Sequence, residues 1–187
     1  MNRIIVIICL LIFSLGAFSQ EQEKSLEYNE VIQQEGKQVK DLYPVIRAWI
    51  STTFINSQKV IQMDDPINGV IICKGGISYR APGGFTYRYI DGNIDFTLKV
   101  QVRDGRYKVT LSDFIHKSSD SRYGNIWSFG LITNREKFKE SGLQDKRYLK
   151  TWPDLKETCK IFSEETIANI KAATSVSNPI LDKQGDW

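Results

Sequence analysis

The chain has a single histidine, His116. One imidazole excludes two-histidine metal motifs and histidine relays. As a general base it would need a group to orient it. Asp113 lies three residues back, which in a strand points to the opposite face. His116 therefore reads as a strand-end residue with no catalytic role, and no nucleophile–base–orienter set can be assembled around it. Of the three cysteines, Cys9, Cys73 and Cys159, none forms a C-x-x-C pair, so redox catalysis has no motif. Cys73 falls in an expected strand and Cys159 on the apolar face of an expected helix. Two readings stay open for them: a Cys73–Cys159 disulfide, which an oxidising compartment permits, or two buried thiols. Asp64-Asp65 could seed a calcium site, yet only these two carboxylates occur there and Asp-Pro is common turn chemistry. Gly75-Gly76 and Gly83-Gly84 lack the spacing of a phosphate loop and lead into no helix. They read as a mobile loop beside a sheet. No catalytic residue, metal site or cofactor is expected.

The residues best suited to contact a partner lie in that Gly-rich connector, where aromatic and basic side chains interleave: Tyr79, Arg80, Phe85, Tyr87, Arg88 and Tyr89. Tyr and Arg offer large contact area with a polar end, which suits interfaces as well as stacked bases or sugars. The competing reading is an irregular edge strand whose aromatics cover the sheet.

The elements that must position these groups follow from hydrophobic spacing. Leu26 to Gln34 reads as a first strand. From Asp41 to Ile55, Leu42, Tyr43, Ile46, Trp49, Ile50 and Phe54 recur at helical spacing, with Asp41 as N-cap and Pro44 in the first turn. Lys59 to Met63 and Gly69 to Lys74 read as a hairpin. Ile94, Phe96, Leu98, Val100 and Val102 alternate with polar residues, and Asp104-Gly105 then turns the chain into Arg106 to Ile115. A two-residue type I′ loop there would pair Val102 with Tyr107, Val100 with Val109, Leu98 with Leu111 and Ile94 with Ile115. That register leaves one face apolar except for Asp113 opposite Phe96, and the other face solvated. Ile126 to Ile132 is an apolar patch read as an extra strand. A last helix runs from Pro153, as N1, to Ala173, with Leu155, Cys159, Phe162, Ile167 and Ile170 on one face. The order β-α-β-β-β-β-α implies an α+β domain, an antiparallel sheet of about five strands with two helices on one face.

Ahead of this domain stands an export signal. Asn2-Arg3 is a short positive region, Ile4 to Phe13 is unbroken apolar sequence, and Ala17-Phe18-Ser19 offers small residues for a signal peptidase. Cleavage is expected before Gln20, the apolar stretch being too short to span a bilayer. The organisation is then 1–19 signal, 20–25 polar lead, 26–174 domain and 175–187 tail. Of 187 residues, 168 remain, and losing Arg3 lowers the net charge from +3 to +2. So small a net charge implies no polyanion partner and argues against nucleic acid. The expected location is the periplasm or the extracellular space, without stable membrane insertion.

Leu42-Tyr43 with Ala48-Trp49-Ile50, then Phe54, Val60-Ile61-Gln62 with Asp64, Gly69 with Lys74-Gly75, and Val102-Arg103-Asp104-Gly105-Arg106-Tyr107 resemble, in order and spacing, the bacterial domain of unknown function 4468. The resemblance runs from about Tyr28 to Phe114, with a looser likeness in Trp152 to Ala173. It implies a TATA-binding-protein-like fold and export, and it carries across no catalytic residue. The functional expectation is an exported, non-enzymatic binding or accessory domain of the cell envelope, its partner an envelope protein or small ligand. The alternative is a periplasmic carrier holding an apolar molecule between helices and sheet.

Overall fold

The structure is a computed structural model that describes residues 23–54, 57–120, 126–138 and 146–175. The expected signal at 1–19 and the tail beyond Ser175 lie outside the described residues.

The elements run β1 (Tyr28–Gln33), α1 (Val39–Thr53), a one-turn α2 (Ser57–Val60), β2 (Ile61–Asp65), β3 (Val70–Tyr79), β4 (Gly92–Arg103), β5 (Arg106–Ser118), β6 (Gly130–Leu131) and α3 (Lys146–Ser175). All strand pairs are antiparallel, in the spatial order β1-β5-β4-β3-β2. Two-residue β6 extends the β5 edge beyond β1 by pairing Leu131 with Ile115 and Gly130 with His116. The sheet is thus six-stranded among the described residues, its sixth strand falling in the Ile126 to Ile132 patch read as an extra strand. Helix α1 lies against β4, α3 against β1 and β5, and the two helices touch each other.

The β4–β5 hairpin forms because its apolar residues alternate. Val102 faces Tyr107, Val100 faces Val109 and Leu98 faces Leu111, as the sequence predicts. Past Thr97, paired with Ser112, the register shifts, so Asp95 meets Ile115 and Ile94 meets His116 instead of Ile115. The extra residue is Asp113, the one described non-glycine residue at positive φ (55°). Asp tolerates this left-handed conformation better than most residues. The bulge removes the expected Asp113–Phe96 conflict: Asp113 turns out to solvent, and Phe114 and His116 turn into the core, both at 0% exposure. A one-residue slip exchanges faces for every residue beyond it.

Other expectations are corrected by tertiary contacts. The Asp104-Gly105 turn is not type I′, because only Gly105 is left-handed (φ 74°). The start of α1 holds this turn instead: the Val39 N–H donates to the Asp104 carboxylate at 2.9 Å and the Gly105 N–H to the Lys37 carbonyl at 2.8 Å. Helix α1 begins earlier than expected, with Gln38 as N-cap and Asp41 at N3, where its carboxylate accepts the Gln38 N–H at 2.9 Å. Pro44 consequently falls in the second turn and faces solvent, where the freed Lys40 carbonyl can be hydrated. Pro153 likewise lies inside α3 rather than at its start. The preceding turns persist because Tyr148 and Trp152 pack against Phe129 and Phe138, and the Trp152 indole donates to the Arg135 carbonyl at 2.9 Å.

The helix–sheet interface, where a carrier would need its groove, is occupied by Ile46, Ile50, Leu98, Val100, Leu155 and Ile170, all without solvent exposure. Two tyrosine hydroxyls at its margin are paired. The Tyr107 hydroxyl donates to Thr174 Oγ1 at 2.8 Å, and Thr174 donates to the Ile170 carbonyl. The Tyr43 hydroxyl donates to Asp64, whose other oxygen accepts Arg47 Nε at 2.6 Å. These bonds, Tyr43 foremost, hold the Asp64 carboxyl below its ordinary range.

Candidate functional site

The connector between β3 and β4 was expected to begin at Gly75 as a mobile loop. It begins five residues later. Strand β3 runs through Gly75-Gly76 to Tyr79, with Gly75 opposite Phe96. A Cβ on Gly75 would lie 2.6 Å from the Phe96 ring, so glycine here lets the aromatic ring fold over the neighbouring strand.

From Arg80 to Asp91 the chain is pinned at both ends. The Ala81 N–H donates to the Asp91 carboxylate at 2.9 Å, and the Asp91 carbonyl accepts the Ser119 N–H at 2.8 Å. Ser118 Oγ donates to the Tyr89 carbonyl at 2.6 Å. A 3₁₀ turn, Gly84–Tyr87, forms the apex. These bonds fix both ends of the connector, and of the two glycine pairs read as loop only Gly83-Gly84 lies in it.

The interleaved residues separate into two groups. Tyr79 leaves the surface altogether: it is 3% exposed, its ring meets His116 edge-on at 5.3 Å, and its hydroxyl donates to Asp154 at 2.7 Å. Burial and the Asp154 carboxylate raise its pKa far above the ordinary phenol value. Tyr87 and Tyr89 are half-buried and stacked at 6.5 Å, Tyr89 also packing on Trp127 at 4.4 Å. Arg80, Phe85 and Arg88 point outward. Phe85 is 86% exposed, and the Arg88 guanidinium lies 5.6 Å from its ring centroid. Beside them opens a cleft of about 380 Å³, lined by Arg80, Ala81, Gly84, Arg88 and Asp91. Neither arginine has an acidic partner among the described residues. The cleft thus offers two free guanidinium groups next to one exposed aromatic face, chemistry suited to a carboxylate or phosphate carried on a planar or apolar group.

His116 lies underneath this connector and stabilises it. Because the Ile90 carbonyl can only accept and the Phe129 N–H can only donate, the ring is the Nε2–H tautomer, bonded to Ile90 at 3.0 Å and to Phe129 at 3.1 Å. Burial depresses its pKa to about 4. The imidazole joins β5, the connector and the segment ahead of β6, with both nitrogens occupied by backbone. Sequence reasoning placed it at a strand end. The overlooked signal was Asp113 itself, a charged residue in an otherwise apolar column, which marks a bulge.

Cys73 and Cys159 are separate buried thiols, so of the two readings the disulfide is not the one formed. Cys73 lies in β3, close enough to Asp64 to feel its charge, and Cys159 lies on α3, acting on both Tyr28 of β1 and Tyr79 of β3. Burial pushes the thiols up to about 11 and about 12, which makes them inert. Asp65 accepts from Ile67, Asn68 N and Asn68 Nδ2, consistent with the turn reading.

Residues 28–117 match the model of a family described as a domain of unknown function (DUF4468) with TBP-like fold. These residues belong to that family. The DUF4468 segment contains β1 to nearly all of β5 and therefore the connector, the bulge and His116. A TBP-like protein from Parabacteroides distasonis shares the fold at a TM-score of 0.56 and 15% identity, covering 82% of this chain and 95% of its own. A DUF4468 family protein from Bacteroides ovatus does so at 0.53 and 12% identity, covering 83% and 90%. Both alignments extend beyond the DUF4468 segment. No curated protein matches the chain.

Proposed function

We propose that this protein is an exported, non-enzymatic binding or accessory domain of the cell envelope that engages its partner through the Arg80–Phe85–Arg88 surface. The observation that carries this reading is Phe85, 86% exposed on a connector bonded at both ends, with Arg88 over its ring and Arg80 lining the same cleft as Arg88, neither arginine having an acidic partner among the described residues. Holding a large apolar ring in water is unfavourable unless a partner covers it, and a preorganised aromatic–arginine pair is what interface anchors are made of. The non-enzymatic part rests on His116: its nitrogens are bound to backbone and its ring is buried, so it has no free position for a proton relay. Export rests on the N-terminal sequence, and its check is the mature N-terminus, expected at Gln20.

The test is crosslinking in the native envelope with the tagged protein and its Phe85→Ala/Arg88→Ala variant, both verified as folded. One crosslinked species is expected with the parent and not with the variant. Capture of the same species in equal amount by both would sink the proposal.

A further inference from the structure

The near-neutral net charge conceals a segregation that the strand register exposes. On the face of the sheet opposite α1 and α3, residues pair in rows: Gln33–Arg106–Arg103, Val31–Lys108–Gln101–Val70, Asn29–Thr110–Lys99–Ile72–Met63, and Ser112–Thr97–Lys74. Lys74, Lys99, Arg103, Arg106 and Lys108 therefore share one face, within about 10 Å across the strands and about 20 Å along them. None has an ion-pair partner among the described residues. Four carboxylates lie on or beside this face, fewer than its cations: Asp95 pairs with Lys117 at 2.6 Å, Asp65 is bonded within its own turn, and Asp113 and Glu27 accept from their neighbours Ser112 and Asn29. An open hollow of about 200 Å³ sits among Val31, Gln101, Arg103, Arg106, Tyr107 and Lys108.

We propose that this face adsorbs to an anionic phospholipid surface. Charge complementarity requires a negative partner, and two features select a lipid surface over a protein. Between the cations the face presents Val31 and Met63, each about half exposed, with Val70 and Ile72, and the one aromatic residue lining its hollow, Tyr107, is buried. A protein partner of matching area would need anchor residues in pockets. In addition, the cations are spread over three strands at uneven spacing on flexible stems, a pattern that laterally mobile headgroups can follow and a fixed set of carboxylates cannot. Each such cation near an anionic bilayer strengthens partition by about fivefold, additively in free energy and steeply reduced by salt. Adsorption on this face leaves the Arg80–Phe85–Arg88 surface, in the connector beyond the ends of β3 and β4, available to a second partner.

The experiment is co-sedimentation of the purified protein, leader removed, with vesicles containing phosphatidylglycerol and with vesicles of phosphatidylcholine alone. Binding is expected only to the anionic vesicles and is expected to disappear as salt is raised. Lys99→Gln/Lys108→Gln should weaken it by about 25-fold, whereas Lys160→Gln, on the exposed side of α3, should leave it within about twofold. Each variant is checked by circular dichroism for an unchanged fold. No binding to anionic vesicles, equal binding to both kinds, or equal loss in the Lys160 variant would overturn the proposal.

Discussion

The two faces of one sheet are made by the same strands, yet they serve different ends. On the inner face, Leu98, Val100, Val109 and Leu111 are wholly removed from water beneath α1 and α3. On the outer face, one residue along in each strand, Lys99, Gln101, Lys108 and Thr110 remain partly accessible, and no helix among the described residues packs over them. Alternation alone produces this division, and at Asp113 a single inserted residue reassigns the faces, sending Phe114 and His116 inward. Stability should therefore be concentrated on one side and binding on the other.

Four changes probe that division, from the largest effect to the smallest. Leu111→Ala on the inner face should cost about 3 kcal/mol, read as a lower urea midpoint at unchanged slope. Acid should also act through the inner face. The His116 pKa is depressed in the fold, from 6.5 to about 4, so the unfolded chain takes up the proton first. The contribution of neutral His116 is complete above pH 6.5 and is lost as pH falls towards 4, amounting to about 3 kcal/mol. A His116→Gln variant should lack this part of the slope in equilibrium unfolding. Asp113→Val, which forces a β-branched residue into the left-handed bulge, should cost about 1–2 kcal/mol, whereas Asp113→Gly should cost less or nothing; thermal melts separate the two. Finally, Lys99→Gln and Lys108→Gln should move stability by no more than about 0.5 kcal/mol, although both alter vesicle binding. A large loss of stability from either lysine change would mean that the outer face has a structural role.

The hairpin at the centre of the fold was legible because Ile94 to Val102 and Tyr107 to Leu111 alternate strictly, and alternation over a tight turn fixes register. The same list contained its own correction in Asp113, whose charge could not remain opposite Phe96. Helix starts were less legible. Both Pro44 and Pro153 suggested first turns, but contacts remote in sequence, from Asp104 to the α1 amides and from Arg135 to Trp152, support the helices ahead of those prolines. The candidate surface was half legible. Composition located the aromatic–basic stretch, but periodicity fails in an irregular connector, so nothing local distinguished buried Tyr79 from exposed Phe85. The outer basic face is invisible to a net charge of +3, because counting charges discards the register that gathers them.

The most direct measurement is the titration of the His116 imidazole by long-range ¹H–¹⁵N NMR, which reports tautomer and protonation together. If the Asp113 bulge turns His116 into the core, the ring stays the neutral Nε2–H tautomer through neutral pH and titrates near 4. A midpoint near 6.5, or an Nδ1–H tautomer, would place His116 at a solvated strand end and contradict the division of the sheet into a sealed inner face and an open outer one.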